Sequence, residues 1–197
     1  MPKDKKSKES ALFYRLDKSD TIIEAGGTWN DMASQNGATE LTAGNVLGTR
    51  LYDHVSGEAT RMFVWTLFDA VRILRRPATR DYRCDSPDCR RYMKMVIKPQ
   101  DGGQLQLDHT VVRVEPFAKP LLFTAAERGE IPSQARVLIR CSSCNNLRTG
   151  GYWHEPDTID TAPFQNGDGS ISVVYGVCDR CQSIARMPPV NRRNLTP

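Results

Sequence analysis

The spacing of apolar residues along this chain changes period part-way through. In residues 56–76, Val64, Leu67, Phe68, Val71 and Leu74 recur at three- and four-residue steps, which predicts one buried stripe on a long helix. Ser56 is placed to cap it, and Glu58 meets its positive end. Arg75-Arg76-Pro77 closes it with cations and a residue that cannot continue a helix. Beyond Pro77 the period drops to two. Residues 79–83 read as extended, 92–98 alternate, Asp101-Gly102-Gly103 is a hairpin turn, and 105–109 alternate again before running on through Val111, Val112 and Val114. A long helix followed by a three-strand antiparallel meander is therefore expected.

The flanking patterns are weaker. Residues 11–16 suit a short helix or an extended segment, and 21–25 a short strand closed by Gly26-Gly27. Residues 30–37 predict a short helix capped by Asn30 and stopped by Gly37, and 47–55 another helical piece. After Pro116 and Pro120 the stretch 121–129 is read as a helix, inside a linker that spans 117–135. Two β-branched runs follow, Val137-Leu138-Ile139 and Val173-Val174-Tyr175. The ends, 1–10 and 187–197, lack core formers and are expected to be disordered tails, the first of them basic. The expected organisation is a domain over 11–116, the linker, and a second module over 136–186.

Each β-branched run leads into a Cys-x-x-Cys: Cys141-Ser142-Ser143-Cys144 and Cys178-Asp179-Arg180-Cys181. Two residues between the cysteines let both thiolates point at one ion while the backbone turns. Two such knuckles supply the four ligands that structural Zn²⁺ prefers, at about 2.3 Å in a tetrahedron. The competing readings are two disulfides or buried free thiols. Disulfides need an oxidising compartment, and the first ten residues carry no apolar stretch of the kind a secretory signal requires. No apolar run is long enough to span a membrane. A cytoplasmic location is therefore expected, and it favours metal. The net charge of +4 is mild and is not gathered into one stripe, so a solvated basic surface is preferred to a nucleic-acid face.

The predicted order of strand, short helices, long helix and antiparallel meander is that of a PAS domain, and the sequence resembles that family over roughly residues 19–115. Asp20-Thr21-Ile22-Ile23-Glu24 looks like the opening strand of the family. Trp29-Asn30-Asp31-Met32-Ala33 with Asn36-Gly37, and the stretch from Val46-Leu47-Gly48 to Asp53-His54-Val55, resemble the segments that follow. Arg83-Cys84-Asp85-Ser86-Pro87 and Arg91-Tyr92-Met93-Lys94-Met95 are similar to a bacterial PAS subgroup. Members of that subgroup often carry a Cys-Ser-x-Cys, a Trp and a second Cys-x-x-Cys, matched here by Cys141 to Cys144, Trp153, and Cys178 to Cys181. The subgroup commonly has His-Gly-x-Cys at the last knuckle. This chain has Tyr175-Gly176-Val177-Cys178, which favours four thiolates. Cys89 is also unusual for the family.

The expected fold is thus α+β: a PAS-like antiparallel sheet with flanking helices, then a small zinc-ribbon-like β module. The resemblance implies a sensory or protein-interaction module with a signalling partner, and by analogy a homodimer formed through the N-terminal segment. Trp65, Phe68, Met93 and Met95 are candidates to line a pocket between helix and sheet, with a filled core as the alternative. No histidine occurs in 57–76, so haem ligated from the long helix is not expected, and His54 is the nearest candidate. His109 reads as structural, and His154 as a neighbour of the metal or a surface group. Cys84 and Cys89 flank a Pro87 turn and could be ordinary cysteines, a metal clip or a redox pair. No nucleophile–base pair or phosphate loop stands out, so an enzyme is not expected. Two other functions stay open. One is a nucleic-acid-binding regulator using Arg136, Arg140, Arg148, Arg180 and Arg186. The other is a thiol redox sensor.

Overall fold

The computed structural model describes residues 12–126 and 136–185. The tails expected at 1–10 and 187–197, the 127–135 part of the linker and Arg186 lie outside the described residues. The first sheet contains β1 (Leu12–Leu16), β2 (Ile22–Gly26), β3 (Ala78–Arg83), β4 (Cys89–Pro99) and β5 (Leu105–Pro116). Their order is β2-β1-β5-β4-β3, and every neighbouring pair is antiparallel. Between β2 and β3 run α1 (Trp29–Gln35), α2 (Ala43–Val46), a 3-10 turn at Leu51–His54 and α3 (Glu58–Leu74). The long helix and the three-strand antiparallel meander that the periodicity predicts are both present. The helices cover one sheet face, and Leu16, Ile22, Val46, Phe68, Val71, Ile97, Leu105 and Leu107 form the core between them. Alternation places Leu105, Leu107 and His109 of β5 on that inner face and leaves Gln106 and Asp108 half-buried on the other.

Several local expectations change. Residues 12–16 form a strand, because their backbone groups pair with both β2 and β5. The strand at 22–26 that resembled the family's first is therefore the second. The chain enters it through Asp20, whose backbone is left-handed (φ 61°) and whose buried carboxylate accepts from Arg72 at 2.5 Å. Asn30 does not cap α1; its side chain accepts from the Ala43 backbone N–H at 2.8 Å instead. Ser56 does not cap α3. Gly57 takes that place with φ 84°, and a Cβ there would lie 3.0 Å from the Tyr175 carbonyl oxygen. Only glycine meets both demands. At the other end Arg75 adopts a left-handed backbone (φ 50°) and donates to the Gln100 carbonyl oxygen at 2.8 Å.

The second sheet contains β6 (Phe123–Ala125), β7 (Leu138–Cys141), β8 (Leu147–Thr149), β9 (Tyr152–His154) and β10 (Ile171–Gly176), in the order β6-β10-β7-β8-β9. β10 runs parallel to both β6 and β7, while β7-β8-β9 is antiparallel. The module is thus β-rich as expected, but its sheet is mixed. The helix expected from 121 is replaced by β6 over its described part. Phe123 packs on the cluster of Leu138, Leu147, Ile171 and Val173, and Leu122 accepts from the Ile171 N–H, so the sheet satisfies this backbone. A short helix, α4 (Asp179–Ala185), follows β10.

One polar group sits deep in the first core. His109 is buried, stacked on Tyr14 at 5.3 Å, and its Nδ1 lies 2.7 Å from the Tyr82 hydroxyl. Its Nε2 has no hydrogen-bond partner among the described residues. Burial pushes its pKa down to about 4, against a weaker upward pull from Asp108. Between that value and the unfolded value of about 6.5, the unfolded chain binds a proton that the folded chain does not. Stability from this group is therefore full above the unfolded value and falls as pH drops toward 4. Urea unfolding of the native protein and of His109→Phe at pH 7 and pH 4.5 should show the native protein losing about 2 kcal/mol more than the variant. Equal losses would show that His109 is not the responsible group.

Candidate metal centre

The parallel pairing of β7 and β10 brings the two Cys-x-x-Cys elements together. Gly176 lies opposite Cys141 in register, so both chains leave the sheet at the same end. Cys141 is the last residue of β7 and is fully buried. Ser142-Ser143-Cys144 then turns tightly. The Asn145 N–H donates to the Cys141 carbonyl oxygen and the Cys141 N–H to that of Asn146, both at 2.8 Å, and Asn145 takes a left-handed backbone (φ 61°). The Ser142 N–H donates to the Gly176 carbonyl oxygen at 2.8 Å, locking the first turn to the second strand. The second pair sits at a helix start rather than at a plain strand end. Cys178 immediately precedes α4 and Cys181 lies in its first turn.

All four Sγ atoms lie within 4.8 Å of one another. The Cys144 and Cys178 sulfurs are 3.8 Å apart, which matches the edge of a tetrahedron with bonds of about 2.3 Å, roughly 3.8 Å. None of the six cysteines is in a disulfide. The four cysteines could hold a metal ion, and their surroundings suit anionic sulfur. The Cys178 N–H donates to the Cys141 Sγ at 3.4 Å, and Trp153 and Val177 pack against the cluster. With thiol protons present, donation from Cys144 and Cys181 and from backbone N–H groups holds Cys141 well below the usual thiol range. Cys144 is pushed up as a donor to it.

The first turn is also bonded to the first sheet. The Arg83 N–H at the end of β3 donates to the Ser143 carbonyl oxygen at 2.7 Å, and the Asn145 amide donates to the Arg83 carbonyl oxygen at 3.3 Å. The Arg83 guanidinium lies between the two sheets. It binds Asp85 through two nitrogens, at 2.6 and 3.1 Å, and Glu155 at 2.5 Å. Burial works against its charge, but these carboxylates outweigh that and raise its pKa. Arg140 of β7 reaches the same Asp85 at 3.6 Å and stacks on Phe123 at 4.1 Å. Arg90 of β4 pairs with Asp157.

Between the outer face of β3–β5 and the cysteine turns lies a cleft of about 790 Å³, lined by Tyr92, Val112, Arg113, Cys144, Trp153 and Arg180 among others. It has no counterpart in the sequence pattern, because two modules far apart in sequence form its walls.

The remaining candidates fall elsewhere. Phe68 is 1% exposed and Met93 2%, and Met95 packs against the core, but Trp65 is 57% exposed on the outer side of α3. Trp65 therefore does not line a space between helix and sheet; it lies roughly a quarter turn from the stripe of Val64, Phe68 and Val71. His54 bonds Thr49 Oγ1 at 2.7 Å, and His154 lies in β9 and is not one of the clustered ligands. Cys84 and Cys89 do not join the four sulfurs. Cys84 accepts a hydrogen bond from Asn36, and burial pushes its thiol up, with Arg91 opposing; Cys89 lies 3.1 Å from Ser86 Oγ. Of the arginines considered for nucleic acid, Arg140 is buried, while Arg136, Arg148 and Arg180 are exposed.

No family model and no curated protein matches this chain. Among solved structures, the crystal structure of a domain of an HTR-like protein from Haloarcula marismortui is similar at 15% identity and a TM-score of 0.39. The match covers 52% of this chain and 98% of that one. A likeness of that extent says nothing of what this chain does. No helix among the described residues is long and apolar enough to cross a membrane.

The Arg83–Asp85–Arg140 contact gives a direct stability test. The Asp85 side chain is 2% exposed and serves two buried guanidinium groups. Asp85→Ala should cost about 3–5 kcal/mol in urea unfolding, because it leaves buried cations uncompensated. Asp157→Ala, at a more open pair, should cost clearly less. Equal costs would contradict the joint described here.

Proposed function

We propose that this chain is a non-catalytic sensory or protein-interaction module whose four-cysteine centre holds a structural Zn²⁺ ion. The observation that carries this reading is the convergence of Cys141, Cys144, Cys178 and Cys181, with sulfurs within 4.8 Å of one another, at the junction of the two sheets. Four thiolates at tetrahedral spacing, with no position left for water or substrate, suit a structural zinc rather than a catalytic one. The ion would tie β7, β10 and α4 together where the second sheet has only a small core of its own. Structural zinc contributes on the order of 10–16 kcal/mol in small units of this kind.

In this reading the first sheet receives a signal or partner, and the metal-held turn, bonded to Arg83, keeps the second sheet in register with it. Output runs through contacts with a signalling protein in the cytoplasm. Elemental analysis of protein purified without added metal should find about one zinc per chain, lost in both Cys141→Ser and Cys178→Ser. Chelation should remove structure from the second sheet in particular. Four freely titrating thiols and no metal in the native protein would overturn the zinc assignment.

A further inference from the structure

The face of the first sheet that turns away from the helices forms the floor of the junction cleft, and a bulge shapes it. Tyr92 lies opposite Arg113 and Met93 opposite Val111, so Val112 is an extra residue in β5. Neighbours on a regular strand point to opposite faces. Here the bulge turns both Val112 and Arg113 into the cleft, where Val112 is 62% exposed. The Arg113 guanidinium lies over the Tyr92 ring at 4.1 Å and is tethered to Glu115 at 3.0 Å. Lys94 is exposed on the same floor, and Arg180 on the facing wall. Among the described residues neither of these two cations has a hydrogen-bond or ion-pair partner for its side chain. The carboxylates of the cleft do not answer them. Glu155 is committed to Arg83 and Arg90, Asp179 sits in the first turn of α4, and Asp81 lies opposite Lys94 in register without closing a salt bridge.

We infer that the cleft binds a small ligand that joins a planar ring to an anionic group, the class to which nucleotides and aromatic carboxylates belong. Its volume of about 790 Å³ lies in the range of sites that enclose such molecules. The orientation of the ligand follows from the row Arg83–Tyr92–Arg113, which crosses β3, β4 and β5. The cysteine turn is bonded to Arg83 at one end of this row. Arg113 stands at the other end, two strand spacings or about 10 Å away. Four thiolates around a divalent ion keep a net negative charge. The cysteine end therefore repels an anion and suits an uncharged ring, stacked on the half-buried Trp153. The anion lies at the β5 end, where Arg113 and Lys94 supply charged donors, with Arg180 on the opposite wall. Guanidinium groups match carboxylate and phosphate oxygens through paired hydrogen bonds. Val112 gives the ring an apolar edge to rest on.

This face of the sheet is the one opposite α3, so the site is separate from the space between helix and sheet. A ligand held there touches both sheets at their junction. The inference deepens the sensory reading, and it rests on that reading for the consequence of binding rather than for the binding itself.

Isothermal titration calorimetry of the full chain with adenosine 5′-monophosphate and with 2-naphthoate tests the site. Zinc is measured on the same samples, so that failure of the metal assignment and failure of the site are scored separately. At least one probe should bind saturably, one per chain, and the stronger of the two tells a phosphate source from a carboxylate one. The ring without its anion (adenosine, 2-naphthol) and the anion without its ring (inorganic phosphate, acetate) should bind about tenfold more weakly or worse. Lys94→Gln and Arg113→Gln should each weaken binding about tenfold, and Val112→Glu should abolish it. All three side chains are exposed, so the circular dichroism spectrum should not change. No saturable binding of either probe up to millimolar concentration, or binding indifferent to both Arg113→Gln and Val112→Glu, would overturn the proposal.

Discussion

A guanidinium withdrawn from water between two sheets sets the main constraint on this molecule. Arg83 ends β3, and its side chain is nearly sealed off by the second sheet. A buried cation is tolerated only when its hydrogen bonds are met. Here Asp85 supplies two of them from the same hairpin, and Glu155 supplies the third from the region after β9. That third bond requires the second sheet to sit where it does. The backbone of the same residue binds Ser143, so the cysteine turn is placed by the group that fixes the joint. Cysteine cluster and sheet junction are thus one construction.

A second close approach reinforces it. Gly57 lets the start of α3 press against Tyr175 in β10, the strand that leads to Cys178 and Cys181. The long helix therefore touches the cysteine-bearing module at one end while packing on the first core along its length. Its inner stripe is consumed by that core, while Met62, Trp65 and Ile73 on its outer side are exposed. The junction cleft arises in the same way, from two surfaces that are each unremarkable until they are set face to face.

The first sheet was largely legible in the chain. Period-two alternation from 92 to 114 marks strands half-buried on one face, and the 3.6 period of α3 marks a helix that buries one side, so pattern alone separates them. The weaker segments were less so. Residues 12–16 alternate too briefly to decide between helix and strand, and only pairing with β2 and β5 on both sides settles them. Residues 123–125 gave a helical expectation because nothing local shows that β10, almost fifty residues later, supplies a parallel partner. Caps misled for a related reason. Ser56 and Asn30 have good capping chemistry, but the backbone at Gly57 and the bond from Asn30 to Ala43 are set by packing that spacing does not record.

What the sequence determined by itself is local in origin: the alternation of the meander, the long amphipathic helix, and two pairs of thiols each held to one side of a turn by a two-residue spacing. Tertiary structure decided which elements are neighbours. It made β7 and β10 parallel partners, which brings four sulfurs to one point. It turned Trp65 outward, buried Arg140 against Asp85, and built a cleft from two modules. These depend on the direction in which distant strands pair and on where buried charges find partners, and those energies are fixed only when the whole chain has closed.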